Sequence, residues 1–467
     1  MKEILNMKKY EFSEKKAAQA LGVSLGRVSQ LIASKQLDST TINGKIRISG
    51  ESIQAYAQAR RLGRPTAVSY ATAAEYTLMN ATYEVGEIVF DTALDDPISM
   101  GRVFDASRAP FGVLTSGAAP KKRELNDWWR HRSIPSSRPG LDAKLLSLGV
   151  SVSSNLPVKN LGLSLSDCYW LRPAASPALR WDDVNYFEND FVDSSPDTWD
   201  DWLSGVGLSS PDNTSEGELP KRWVIDEVGN RCLLKGCKAD DQRPYNEAVA
   251  TALFKRLLLP GDYAAYDVVA TKNGPAARCK NFLNGHEEYV PASSIRQLGG
   301  RLRAASVYDR FCRTASSLGV RDDAVRDAMS KMIICDVILA NFDRHWRNFG
   351  FIRDVVTLEL RPAPLFDTGN SLWFNKTDVE IAACDWTFMP RPFAHSVAEA
   401  LACVDSLEWF DASHLEGFVE EAVSILEQST CATKSGRIDF IREGLERNVD
   451  TVIQATRVLG PRILRGR

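Results

Sequence analysis

Asp343, Asn348 and Asp367 carry oxygen atoms suited to a hard metal ion, and they fall in one stretch, Lys331–Trp373. An apolar run, Met332–Ala340, leads into a polar knot, Asn341-Phe342-Asp343-Arg344-His345-Trp346-Arg347-Asn348. Strand patterns follow at Phe349–Ile352 and Val355–Leu360, and a second acidic knot, Phe366-Asp367-Thr368-Gly369, closes the stretch. Phosphoryl transfer needs this set: a carboxylate to orient the attacking hydroxyl and oxygen ligands to hold magnesium on the phosphates. The glycine is expected to permit the tight turn that lets the Asp367 carboxylate face the site. Upstream, Lys235 ends a strand pattern inside Leu233-Leu234-Lys235-Gly236. Glu247 lies near the start of a helix pattern that opens at Asn246 and runs through Leu258. A strand lysine paired with such a helix glutamate can hold the α- and β-phosphates of ATP. The loop before that strand, Thr214–Lys221, offers Gly217 and Lys221 as further phosphate contacts.

Protein kinases place the base and a metal-binding Asn in one loop, H-R-D-x-x-x-x-N, with a later D-F-G supplying the metal Asp. Asp343 and Asn348 have the same spacing, and Asp367-Thr368-Gly369 keeps the acid and the glycine. The pair D-x-H-x-x-N-F and x-D-T-G resembles the HipA-like family of bacterial serine/threonine kinases, most strongly from about Pro220 to Trp373. The Asp-Arg-His-x-x-Asn wording is also similar to the catalytic loop of phosphoinositide and other atypical kinases. The resemblance implies that Asp343 is the catalytic base, that Asn348 and Asp367 are magnesium ligands, and that ATP and Mg2+ are the cofactors. It further implies autophosphorylation of a serine in the loop before the first strand. The corresponding hydroxyls are Ser209, Ser210, Thr214 and Ser215, with Ser215 favoured for its closeness to Gly217. Lys221 or the cluster Arg130-His131-Arg132 is expected to receive that phosphate. A competing reading is the Asp-Thr-Gly strand of pepsin-like proteases, but those need two carboxylates sharing a proton, and the chain has one such motif.

The 467 residues suggest about three domains of ~150 residues each. Hydrophobic content of 44%, charged content of 25% and a net charge of -3 are those of an ordinary globular protein, with no global nucleic-acid or membrane signature. Nine cysteines show no C-x-x-C spacing, as expected for reduced thiols. No apolar run approaches a membrane span, since Asp336 interrupts the longest, and the N-terminus carries no signal-peptide pattern. The expected location is the cytoplasm.

Before the catalytic elements comes a basic module. Ser13 can cap a helix over Glu14–Leu21, and Gly22-Val23-Ser24 turns into a second helix, Leu25–Ser34. Ser39–Ile42 and Lys45–Ile48 flank Asn43-Gly44, a strong hairpin signal, and a last helix is expected over Ser52–Arg61. Met1–Leu62 carries 11 Lys/Arg against 5 Asp/Glu, a net of +6. The pattern is similar to the excisionase/MerR-type winged helix-turn-helix and implies DNA as a partner. Arg27 and Gln30 would face base edges, and Lys45 and Arg47 would reach the backbone or minor groove. Residues 63–67 read as a linker, and 68–204 as a subdomain with packing aromatics and a connector that holds eight acids over Asp182–Asp201. A β-rich N-lobe over 205–290 and a helical C-lobe over 291–467, with helix patterns at Ser294–Ala305 and Ser413–Glu427 among others, complete a multidomain α+β chain: a winged helix-turn-helix followed by a two-lobed protein-kinase-like fold. The function expected is an ATP- and Mg-dependent serine/threonine kinase, toxin-like or transcription-regulatory. It would act on an unknown protein, with a possible antitoxin-like regulator and no membrane partner. The alternative is a DNA-binding regulator whose kinase fold is a non-catalytic nucleotide sensor.

Overall fold

The structure is a computed structural model, which describes residues 12–21, 25–33, 35, 37–42, 44–53, 73–91, 96–113, 122–134, 156–191, 210–214, 219–236, 240–300, 302–434 and 436–465. The chain divides into two compact units, Met1–Ala73 and Ala74–Arg467.

In the first unit, helices α1 (Glu14–Leu21) and α2 (Leu25–Ala33) precede strands β1 (Ser39–Ile42) and β2 (Lys45–Ile48). Ser13 Oγ accepts the Lys16 N–H at 3.3 Å. This satisfies a donor at the helix start, a cap worth about 1 kcal/mol. The hairpin pairs Ser39 with Ile48 and Ile42 with Lys45, and Gly44 takes φ +71° in its turn, where a side chain would be strained. Ala17, Val28, Leu31, Leu37 and Ile48 are buried together, as the helical and alternating spacings require. Lys45 is exposed on β2 and Arg47 half-buried. Arg27 and Gln30 fall on α2, with side chains outside the described residues; residues 54–72, including most of the expected last helix, also lie outside them.

The second unit begins with a sheet of order β5-β4-β3-β6, from β3 (Ala73–Asn80), β4 (Tyr83–Asp91), β5 (Asp96–Val103) and β6 (Tyr169–Pro173). Helix α3 (Lys122–Arg130) packs on it by Trp129, which is fully buried against Phe90. Arg132 is also buried. It pairs with Asp167 and donates to the Gly162 and Tyr169 carbonyls, so it is a packing residue and is not free to receive a phosphate. A second sheet, order β7-β8-β10-β9, comprises β7 (Lys221–Ile225), β8 (Arg231–Gly236), β9 (Tyr266–Thr271) and β10 (Gly274–Lys280). The β7–β8 turn is held by Asp226, whose Oδ1 accepts the N–H groups of Val228 and Asn230 at 3.1 and 2.7 Å. Helix α4 (Arg243–Leu257) packs on this sheet. It starts three residues before the expected Asn246, because Pro244 suits a first helical turn whose N–H groups need no partner.

A third sheet, β11 (Glu287–Pro291), β12 (Gly350–Asp354) and β13 (Leu360–Pro362), meets the helices α5 (Ala292–Leu298), α6 (Val307–Ser317) and α7 (Asp322–Ile338). The strand expected over Val355–Leu360 is mostly a turn. Asp354 Oδ1 accepts the Val356 and Thr357 N–H groups, and Leu358 takes φ +64°. The helix expected to reach Ala305 stops at Leu298, before Gly299-Gly300. The helix expected over Ser413–Glu427 is broken by Gly417 at φ +71°, leaving α8 (Phe418–Leu426), and α9 (Arg437–Arg465) ends the described chain. Gly444 of α9 is needed for close approach, since a Cβ there would lie 2.5 Å from both the Trp373 and Trp386 rings. One apolar core joins α4, α6, α7, α8 and α9 beneath the Asn341–Asn348 loop. Among the described residues no helix is long and apolar enough to cross a membrane, and eight cysteines are free thiols.

The first sheet is locked to the third by a buried polar junction. Glu288 and Arg353, 2% and 3% exposed, form an ion pair. Asn80 Nδ2 donates to Glu288 Oε2 at 2.8 Å, and Arg353 also donates to the Tyr169 hydroxyl. Burial raises the Glu288 carboxyl, and Arg353 opposes that by its charge. Satisfying the remaining lone pairs is the condition for such a buried pair to be tolerated.

Candidate active site

Strand β8 positions Lys235 opposite Lys221 of β7 and Ala277 of β10. Its ammonium is buried and touches two carboxylates: Glu247 Oε1 at 3.2 Å and Asp367 Oδ1 at 2.6 Å. The Tyr266 ring lies 4.9 Å away. Burial alone would discharge Lys235, but Asp367 and Glu247 outweigh it and hold the ammonium well above the usual lysine range. Burial likewise penalises the Asp367 carboxylate, and the charges of Lys235, Lys221 and Arg344 overcome it, holding the group well below the usual carboxylate range.

Glu247 does more than pair with the lysine. Its second oxygen, Oε2, accepts the Thr368 N–H at 3.0 Å, so one side chain of α4 ties the β8 lysine to the Asp-Thr-Gly turn. The turn is further held by Asn246, whose Nδ2 donates to the Gly369 and Ser371 carbonyls, both at 2.8 Å. Gln242 Nε2 donates to Asn246 Oδ1 at 2.9 Å and to the Leu372 carbonyl at 3.1 Å. The left-handed residue of this turn is Asp367 itself, at φ +58°, and not the glycine as the sequence suggested. Asp tolerates that conformation better than most residues. Gly369 instead lies in ordinary contact with α4: a Cβ there would be 3.4 Å from the Arg243 carbonyl and from Glu247 Oε1.

The Asn341–Asn348 loop is built around a side chain to which the sequence gave no role. Arg344 is fully buried and makes a two-pronged pair with Asp336 of α7, at 2.8 and 2.9 Å. Its Nη1 donates to the Asn348 and Phe366 carbonyls, both at 2.7 Å. One guanidinium therefore spans the end of α7, the far end of the loop and the start of the Asp-Thr-Gly turn. Asn341 bonds Asp336 Oδ1 at 2.8 Å and accepts the Asp343 N–H at 3.1 Å. Asn348 Nδ2 donates to the Asp343 carbonyl at 3.3 Å, so the amide nitrogen is the atom that ties Asn348 to the loop. Asp343 Oδ2 accepts from Asn370 Nδ2 at 2.6 Å. The signal for Arg344 was present in the sequence: a buried acid in an apolar run, Asp336, requires a nearby cation. Asn370 carried no such signal.

Lys235, Glu247, Asp367 and Asn370 share one cleft, which Leu219 and Ala277 also line. Lys221 is half-buried, and its charge reaches Asp367. Ser215 and Gly217 lie outside the described residues. Ser210 is buried, its Oγ accepting the Asp212 N–H at 3.2 Å, so it is a poor phosphoacceptor. Among the described residues no group of three His, Cys, Asp or Glu side chains forms a protein-only metal site. Magnesium does not need such a group: one carboxylate and one amide oxygen suffice where phosphates and water supply the remaining ligands. The pairing of Asp367 with Lys235 also removes the protease reading, because an aspartic dyad needs a second carboxyl at that place to share a proton.

No protein-family model matches the chain. The serine/threonine-protein kinase CtkA of Helicobacter pylori is 28% identical over 112 residues, which are 23% of this chain and 34% of that protein. The chain thus spans about a third of the length of the curated relative it matches. Among solved structures, that of the proinflammatory kinase CtkA from Helicobacter pylori superposes with a TM-score of 0.41 and 16% identity, over 52% of this chain and 94% of the other. HipA of Shewanella oneidensis MR-1, solved with HipB and operator DNA, gives a TM-score of 0.47 and 14% identity, over 82% and 97%. The resemblance to HipA-like kinases, first drawn from motif wording, is thus met by a relative that is itself named a serine/threonine kinase.

Proposed function

We propose that the second unit transfers the γ-phosphoryl group of ATP to a serine or threonine hydroxyl of a protein. The observation that carries this reading is the contact of Lys235 with both Glu247 and Asp367, beside an Asp343 that is bonded to the same turn through Asn370. Magnesium, when bound, neutralises phosphate charge, and Asn348 and Asp367 are the residues that would hold it. Lys235 supplies a fixed cation for the phosphates, and Glu247 keeps it charged and in place. Lys221, its cross-strand neighbour, adds positive charge at the cleft. Asp343 orients the acceptor hydroxyl and takes up its proton. Its Oδ2 is held by Asn370, so Oδ1 is the atom for that hydroxyl.

The test is incubation of the full chain with labelled ATP and magnesium, followed by phosphosite mapping beside an Asp343→Ala control. Magnesium-dependent label on protein hydroxyls, absent from the control, supports the proposal. Tight nucleotide binding without turnover would replace it by a nucleotide sensor. Mapping also decides whether Ser215 is a self-phosphorylation site.

The first unit is proposed to bind duplex DNA. Support comes from the net +6 charge of Met1–Leu62 and from the hairpin that presents Lys45. Binding should weaken steeply with salt. Lys45→Ala is expected to lower affinity for all sequences alike and to reduce the slope of log K against log salt by about one unit. An unchanged slope removes Lys45 from the phosphate contacts.

A further inference from the structure

We infer that the C-lobe surface beside the catalytic loop binds an acidic segment of the acceptor protein, so that hydroxyls flanked by Asp or Glu are preferred. The inference rests on the kinase reading above and names its substrate class. Residues 291–313 carry five arginines, Arg296, Arg301, Arg303, Arg310 and Arg313, against one acid, Asp309. Asp309 is engaged by Arg313 and Arg326. Arg296, Arg303 and Arg310 are exposed and make no ion pair among the described residues; the same holds for Arg391.

The placement ties this charge to the chemistry. Trp346 lies three residues after Asp343 and is half-buried. Its ring carries the Arg296 guanidinium at 4.7 Å and meets Phe393 edge-on at 5.2 Å. Phe393 follows Arg391 by two residues and contacts Tyr308, two residues before Arg310, with ring centroids 5.3 Å apart. Ser293 N–H donates to the Trp346 carbonyl at 2.7 Å, which fixes α5 against the catalytic loop. An aromatic floor with unpaired arginines around it therefore begins next to the base.

Three acids elsewhere in this unit already carry their own counter-ions. Asp241 is paired with Arg243, Asp240 with Lys434, and Asp385 with Lys376. Arginine stacked on an aromatic ring keeps its fork for a carboxylate. Whatever docks there must also deliver a hydroxyl to Asp343, and the kinase reading above makes that hydroxyl a serine or threonine, which selects a polypeptide.

The test uses the full chain and three serine peptides of equal length, flanked by Glu, Ala or Lys. Binding is followed by fluorescence anisotropy and phosphorylation by labelled ATP. The Glu peptide is expected to bind and react at least about tenfold better than the Lys peptide, with the gap narrowing at high salt. Arg296→Glu combined with Arg391→Glu should abolish or reverse that order and leave peptide-independent, magnesium-dependent ATP turnover unchanged. Equal use of the three peptides, or a preference untouched by the charge reversal, overturns the inference. Binding of single-stranded RNA that is lost in the variant, without any peptide preference, overturns it in favour of nucleic acid. If no peptide is phosphorylated yet the Glu peptide binds selectively, the kinase reading fails and the acidic-segment surface stands.

Discussion

Asp367→Asn is expected to cut phosphoryl transfer about a thousandfold or more and to leave the chain folded. Removal of one preorganised charge from a phosphoryl-transfer site typically costs several kcal/mol of transition-state stabilisation. The fold survives because Lys235 retains Glu247, 3.2 Å away, as a carboxylate partner. The pH dependence of stability should change in a defined way. In the parent, the depressed Asp367 pKa contributes stability above its unfolded value of about 3.9, lost as pH falls through the depressed one. The raised Lys235 pKa contributes stability below about 10.4, lost as pH rises through the raised one. In the variant the acid branch disappears and the alkaline branch shrinks, because only Glu247 still favours the ammonium. Steady-state turnover and urea midpoints against pH measure the two effects. Near-normal turnover would remove Asp367 from the metal site.

The second large effect is expected in the core of the loop. Arg344→Met leaves the Asp336 carboxylate buried without its cation, and Asp336→Leu leaves a fully buried guanidinium. Breaking a buried pair from one side typically costs about 3–5 kcal/mol. Replacement of both, Asp336→Leu with Arg344→Met, should recover much of the stability, because two apolar groups then fill the volume. Activity should not return with it, because the bonds from Arg344 to the Asn348 and Phe366 carbonyls are gone. Denaturant midpoints followed by tryptophan fluorescence, hydrogen exchange over residues 341–348 and ATP turnover separate the three states. A double variant as active as the parent would reduce Arg344 to a packing residue.

The two cases show what the sequence discloses. Lys235, Glu247 and Asp367 could be singled out because phosphate chemistry fixes residue type and spacing, and the structure joins both carboxylates to the Lys235 ammonium. The hairpins were legible where turn chemistry is local, as at Asp226–Asn230 and Gly44. Long-range ties were not. Asn370 acts through one hydrogen bond to a distant carboxylate and Asn246 through two to distant carbonyls, and no periodicity announces such bonds. It is the Thr368 backbone, not the side chain, that reports to Glu247. Boundaries drifted where a glycine or a proline decided the end, as at Pro244, Gly299 and Gly417.

The buried junction of Glu288, Arg353, Asn80 and Tyr169 bears on how the protein can be cut. The catalytic motifs invite a shortened expression clone that opens near Ser209. Such a fragment would strip Asn80 and Tyr169 from Glu288 and Arg353 and leave that pair facing water. It would also uncover Trp223 and Val355, which pack in one cluster with Met79, Trp170 and Trp181. That fragment should aggregate on production. A clone opening at about residue 70 keeps every one of these contacts, and limited proteolysis of the intact chain should stop at the same border.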